Sequence, residues 1–102
     1  MKQQDHFFLE SDTVDGASRI FKALADPTRI KILYLLSQEE CSVNHMAEVL
    51  EMKQSAVSHQ LSMLRNLRLV KYRRDGNTFH YTYDDEHVIT ILHQVLSHIE
   101  CQ

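Results

Sequence analysis

Four residues near the end of the chain carry side chains that bind transition metals: Asp85, His87, His98 and Cys101, in the stretch DDEHVITILHQVLSHIEC (84–101). Carboxylate, imidazole and thiolate are ordinary ligands of zinc, which takes four of them in a tetrahedron at ~2 Å. From about Asp85 onward, Val88, Ile91, Leu92, Val95 and Ile99 recur at helical period, so the stretch reads as an amphipathic helix. At a rise of ~1.5 Å per residue, His87 and His98 stand roughly 16 Å apart along it, too far to share one ion. On a wheel of ~100° per residue, however, His98 falls about 20° from His87 and Cys101 about −40°, all on one stripe beside the apolar face. His98 and Cys101, three residues apart, can hold one ion together. Asp85 can join His87 if the chain there is extended or in the helix cap, as its place directly after a strand suggests. His93, near 240° on the same wheel, reads as an ordinary polar residue.

A two-fold axis resolves the separation. If two copies of the helix pack antiparallel, Asp85 and His87 of one protomer lie beside His98 and Cys101 of the other, giving two identical four-ligand sites per dimer. The apolar face of Ile91, Leu92, Val95 and Ile99 supplies the surface for that pairing.

A second set of residues suits contact with DNA. Ser42 can cap a short helix with the face Val43, Met46, Ala47 and Leu50, and after the brief turn EMKQ another helix begins near Gln54. Two helices joined so closely are the helix-turn-helix signature. The second has a core stripe of Val57, Leu61 and Leu64, and nearly opposite lie Ser55, Ser58, His59 and Ser62, with Gln54 and Arg65 at its ends. Solvated faces usually carry Glu and Lys. Short uncharged hydrogen-bonding side chains in their place suit a helix that enters a major groove. Beyond it the period becomes two: Val70 and Tyr72 alternate with Lys71 and Arg73, Asp75-Gly76 supplies a turn, and Phe79, Tyr81 and Tyr83 alternate on the way back. Lys53, Arg65, Lys71, Arg73 and Arg74 would then meet phosphates, setting register and affinity more than base choice.

The elements that must position these residues complete the pattern. Val14, Ala17, Ile20, Phe21 and Leu24 define a first amphipathic helix after a polar tail. Asp26-Pro27 reads as an N-cap with proline at the first helical position, opening PTRIKILYLLS, whose broad apolar surface suggests a central, buried helix. The fold class expected is mainly α with a β-hairpin wing, a winged helix-turn-helix in the order α-α-α-α-β-β-α, acting as a homodimer. One domain spans residues 1–102, with 1–11 as a flexible tail and the first and last helices forming the dimer interface.

Bulk properties set the outer bounds. A chain of 102 residues fits one modest core, which such domains often enlarge by pairing. The net charge of −3 is not that of a typical nucleic-acid binder, yet from Lys53 to Arg74 there are six cations and no Asp or Glu. Two cysteines, Cys41 and Cys101, make no disulfide framework, MKQQDHFFLES lacks a signal-peptide pattern, and no apolar run approaches the ~20 residues that span a bilayer. A cytoplasmic protein without a membrane segment is expected.

The chain strongly resembles the ArsR/SmtB family of dimeric winged-helix metal-sensing repressors. The resemblance runs from about Val14 to Cys101 and is carried by FKALADPTRIKIL (21–33), QSAVSHQLSMLR (54–65), LVKYRRDGNTFHY (69–81) and the DxH…HxxC pattern of 85–101. It is especially similar to the branch that senses zinc and cobalt on the C-terminal helix. That branch implies Asp85 and His87 from one protomer and His98 from the other as ligands, with Cys101 in place of the usual last His or Glu. The thiolate softens the site toward Cd(II), beside Zn(II) and Co(II). A second site of the family uses cysteines in an ELCVCD-like motif. Here the stretch is ECSVNH, with Ser42 and Asn44 in those positions and Cys41 one place off, so that site is expected to be absent and Cys41 to be a partly buried thiol. A weak site from Cys41, His6 and His45 is the remaining alternative there.

The resemblance implies a repressor that binds a palindromic operator in double-stranded DNA as an apo dimer and is released by Zn(II), with no small-molecule substrate. A redox-sensing repressor using Cys41 and Cys101 is the rival reading. A zinc hydrolase would need an open coordination position and a nearby base. The quartet offers four protein ligands and no such base, so no enzyme is expected.

Overall fold

The computed structural model describes residues 8–101. Five helices and three short strands follow one another in the order α1 (Ser11–Leu24), α2 (Pro27–Gln38), β1 (Cys41–Ser42), α3 (Val43–Leu50), α4 (Gln54–Asn66), β2 (Val70–Asp75), β3 (Thr78–Tyr83) and α5 (Glu86–Glu100). This is a winged helix-turn-helix with one helix added at each end.

Local chemistry sets the boundaries. The Asp26 side chain accepts from the Arg29 amide at 3.0 Å and Pro27 opens α2, as the Asp-Pro pair implies. Ser42 caps α3 by accepting from the His45 amide at 3.1 Å. Glu51, with φ of 55°, ends α3 in the left-handed region, and three residues later α4 begins. Arg68, with φ of 60°, turns the chain out of α4, and the Leu69 amide bonds back to the Leu64 carbonyl at 2.9 Å.

Central α2 buries Ile32, Leu33 and Leu36, α3 contributes Met46 and Ala47, and α4 contributes Val57, Leu61 and Leu64. These side chains form one core with Ala23, Cys41, Leu69, Val70, Ile89 and Leu92. The recognition-type helix α4 is therefore anchored on one side while its polar stripe remains exposed.

Four details differ from the sequence reading. The sheet has three strands in the order β1-β3-β2, because Cys41 and Ser42 pair antiparallel with Tyr81 and His80. Two residues are too few to display a period. The hairpin turn is Gly76-Asn77, since Asp75 still pairs with Thr78 and Gly76 takes the positive φ of 65° that the tight loop requires. Ser11, expected in the tail, starts α1, while residues 1–7 of that tail, with His6, lie outside the described residues. Leu92 is buried in its own core, so it leaves the expected pairing face to Ile91, Val95 and Ile99, which are exposed.

Candidate nucleic-acid interface and metal ligands

Gln54, Ser55, Ser58, His59, Ser62 and Arg65 are all exposed on α4, as are Lys71, Arg73 and Arg74 on β2 and Lys53 just before α4. The first turn of α4 is tied to the preceding helix by a hydrogen bond from Gln54 Nε2 to Asn44 Oδ1. Its inner side is tied to α2, where Arg29 Nε donates to Gln60 Oε1 at 2.9 Å and Arg29 Nη2 lies 3.5 Å from Met63 Sδ. Neither Asn44 nor the Arg29–Gln60 pair follows from periodicity, since each joins residues on different elements.

The wing organises its cations with aromatic rings. Tyr72 stacks on Phe79 with centroids 4.9 Å apart, the Arg65 guanidinium lies 5.0 Å from the Tyr72 ring, and that of Arg74 lies 5.6 Å from the Phe79 ring. Such contacts hold a cation in place without neutralising it. Arg73 differs. Its Nη2 donates to Glu40 Oε1 at 2.8 Å and its Nε to Glu40 Oε2 at 2.9 Å, a bidentate bridge from β2 to the residue before β1. The hydrogen bonds from Arg73 hold the Glu40 carboxyl below the usual glutamate range.

At the other end of the molecule, Asp85 is the N-cap of α5, with extended backbone at φ −141° and ψ 172°. Its Oδ1 accepts from the His87 amide at 2.8 Å and lies 3.2 Å from His87 Nδ1. The amide hydrogen bond, helped by the imidazole, holds the Asp85 carboxyl below the usual aspartate range. Asp85 and His87 thus share one corner, as the capped geometry allows, and the His87 side chain is 93% exposed. His98 lies in the last turn of α5 and Cys101 is its exposed C-cap. Because α5 is one uninterrupted helix, the two pairs stay at opposite ends within a chain. His93 faces α2, with Nε2 3.3 Å from Ser37 Oγ and its ring edge-on to Tyr34.

Cys41 is buried outright, at 2% exposure, where a partly buried thiol was expected. Burial first, then the Glu39 and Glu40 carboxylates, push the thiol up to about 11. A protonated, buried thiol is a poor nucleophile toward oxidants.

This architecture, with an exposed polar helix and a basic wing, defines a winged-helix DNA-binding regulator. Residues 26–72 match the family described as bacterial regulatory protein, arsR family. The chain is 39% identical to the transcriptional repressor SmtB homolog of Synechocystis sp. over 92 residues, which is 90% of this chain and 70% of that protein. It is 42% identical to the cadmium resistance transcriptional regulatory protein CadC homolog of Staphylococcus aureus over 82 residues, 79% of this chain and 68% of that one. Among solved structures, it superposes with a TM-score of 0.82 and 30% identity on the homodimeric winged helix-turn-helix DNA-binding domain of a possible ArsR-family transcriptional regulator from Mycobacterium bovis, covering 98% of this chain and 90% of that one. The chain belongs to the ArsR/SmtB family of winged-helix transcriptional repressors, and it is a regulator, not an enzyme. Among the described residues no helix is long and apolar enough to cross a membrane.

Proposed function

We propose that this repressor is a homodimer paired through α1 and α5 that binds a palindromic operator as the apo protein and is released by Zn(II). In this reading Gln54, Ser55, Ser58, His59 and Ser62 face the bases, while Lys53, Arg65, Lys71, Arg73 and Arg74 meet phosphates. Asp85 and His87 of one protomer, with His98 and Cys101 of the other, hold the metal. The observation that carries the proposal is Asp85 itself. As an extended N-cap it keeps its carboxylate beside the His87 ring, which supports reading these two as the pair that one protomer supplies. The exposed apolar side chains Phe21, Val95 and Ile99 on α1 and α5 supply the surface for pairing.

The donor set suits tetrahedral zinc, and Co(II) takes the same ligands. A relative named for cadmium resistance and the thiolate of Cys101 make Cd(II) a competitor at the same residues. Ligation across the dimer at both ends of the α5 pair would fix the angle between protomers, and with it the spacing of the two α4 helices along DNA. Charge alone has the wrong sign, because added cations favour DNA, so the coupling is conformational. By linkage the operator must weaken zinc binding by the same factor, typically ~1–3 kcal/mol.

Operator binding followed by anisotropy, with and without Zn(II), tests this for the wild type and His98→Ala. Zinc should release the wild type and leave the variant bound. Equal release of both, or release of neither, sinks the proposal.

A further inference from the structure

A second group of metal-binding atoms lies at the start of the helix-turn-helix, in one chain and on different elements from α5. One ligand atom each from Glu39, Cys41 and His45 lie within 4.8 Å of one another, the only such group of three among the described residues. The local chain path explains the convergence. Cys41 is held in β1 by its pairing with Tyr81, and Ser42 ends the strand and caps α3 in the same residue. The cap places His45 at the third helical position, from which a side chain reaches back over the helix start. His45 Nε2 accordingly rests 3.1 Å from Glu39 Oε1. The Cys41 thiol turns the same way, donating to the Glu39 carbonyl at 3.6 Å.

We propose that Glu39, Cys41 and His45 form a metal site within each protomer, for a borderline or soft divalent cation of the Zn(II) or Cd(II) type. The carboxylate, thiolate and imidazole supply three ligands, and water takes the fourth position. A tetrahedral ion with bonds of ~2.0–2.3 Å spaces its ligand atoms about 3.5 Å apart. Glu39 and His45 stand 3.1 Å apart, a few tenths of an ångström inside that spacing, and the thiol must close by at most about 1.3 Å from the 4.8 Å bound on the cluster. Both partners of Cys41 have side chains roughly half exposed, so they have the freedom to close on it.

Glu39 places a carboxylate beside the thiol and the imidazole, and a negative group at this corner favours a cation there. On binding, the S–H bond breaks as the sulfur–metal bond forms, the electron pair stays on sulfur, and the proton passes to solvent. All three ligands come from one chain and none from α5. It adjoins the base of the wing, one residue from the Glu40 carboxylate that holds Arg73.

The two sites separate cleanly by thiol. In the full-length double variant His98→Ala, Cys101→Ser, Cys41 is the sole cysteine. Titration with Cd(II), and separately with Co(II), should produce thiolate-to-metal charge-transfer absorption that saturates at one ion per protomer. Adding Cys41→Ser should abolish it. Since Cys41 lies in the core, the surface changes Glu39→Gln and His45→Ala provide the second test. Each should weaken Cd(II) binding by about tenfold or more with the far-UV circular dichroism unchanged. Absence of the charge-transfer band in the double variant, or a band whose affinity both surface changes leave unmoved, overturns the proposal.

Discussion

Arg29 on α2 and Gln60 on α4 meet side chain to side chain, with the guanidinium Nε donating to the amide oxygen at 2.9 Å. The pair spans the inner side of the helix whose opposite stripe carries Ser55, Ser58 and Ser62. Any effect of the pair on DNA binding should therefore come through the orientation of α4. Hydrogen bonds to charged groups contribute about 1.5–3 kcal/mol, and a partly buried one such as this belongs at the lower end. Arg29→Ala and Gln60→Ala should each lower the urea midpoint modestly. Both should weaken operator binding more than their stability loss explains, because α4 loses a fixed roll angle against α2. Operator affinity equal to wild type in variants that remain folded would show that packing alone sets that angle.

The Glu40–Arg73 bridge makes a prediction of opposite sign. In free protein Arg73 is already occupied by a carboxylate, so meeting a phosphate requires exchange of one anion for another. Glu40→Gln should therefore tighten operator binding, while Arg73→Ala should weaken it and lower the slope of log affinity against log salt by about 1. The bridge is exposed and its share of stability is small. Its pH dependence is nevertheless defined. The folded Glu40 carboxyl titrates below its unfolded value, so the contribution is complete above the ordinary glutamate range and is lost as pH falls through the depressed value. Thermal melts across that acidic range should lose part of their slope in Glu40→Gln. A variant with an unchanged salt slope and unchanged affinity would remove Arg73 from the phosphate contacts.

What could be read in the sequence was whatever repeats locally. Helical periods, the Asp26-Pro27 start, the Ser42 cap and the alternation of Tyr72 with Arg73 each involve residues a few positions apart, and these elements appear where expected. β1 was invisible because two residues have no period, and its partner lies on β3, far along the chain. Arg29–Gln60 and Glu40–Arg73, separated by 31 and 33 residues, escaped for the same reason. At the start of α3 the sequence suggested Cys41 with His45 but not Glu39, since only the strand-to-helix corner brings that carboxylate round to the imidazole. The spacing of the proposed ligands on α5 could be worked out in advance because a single regular helix fixes it.

The two cysteines should differ sharply in reactivity. Cys41 is buried with its thiol pushed up to about 11, so its thiolate fraction at neutral pH is very small, whereas Cys101 is exposed at the end of α5. Alkylation of metal-free protein by iodoacetamide, followed by mass spectrometry of peptides, should label Cys101 first. Cys41 should be labelled at a comparable rate only in denaturant. Any release of operator by peroxide should accordingly depend on Cys101 and survive Cys41→Ser. Rapid labelling of Cys41 in the folded protein would restore the redox reading.

Asp85 has two separable tasks, capping α5 and lying beside the His87 ring, and two substitutions distinguish them. Asparagine is as good an N-cap as aspartate, so Asp85→Asn keeps an oxygen for the His87 amide while removing the negative charge. Alanine removes both. If the carboxylate is a ligand, Asp85→Asn should fold and bind operator like the wild type yet need substantially more Zn(II) for release. Asp85→Ala should share that loss and in addition fray the first turn of α5, visible as faster amide exchange at Glu86 and His87. A wild-type zinc response in Asp85→Asn would assign Asp85 to the cap alone. The metal would then have to be held by His87, His98 and Cys101 without it.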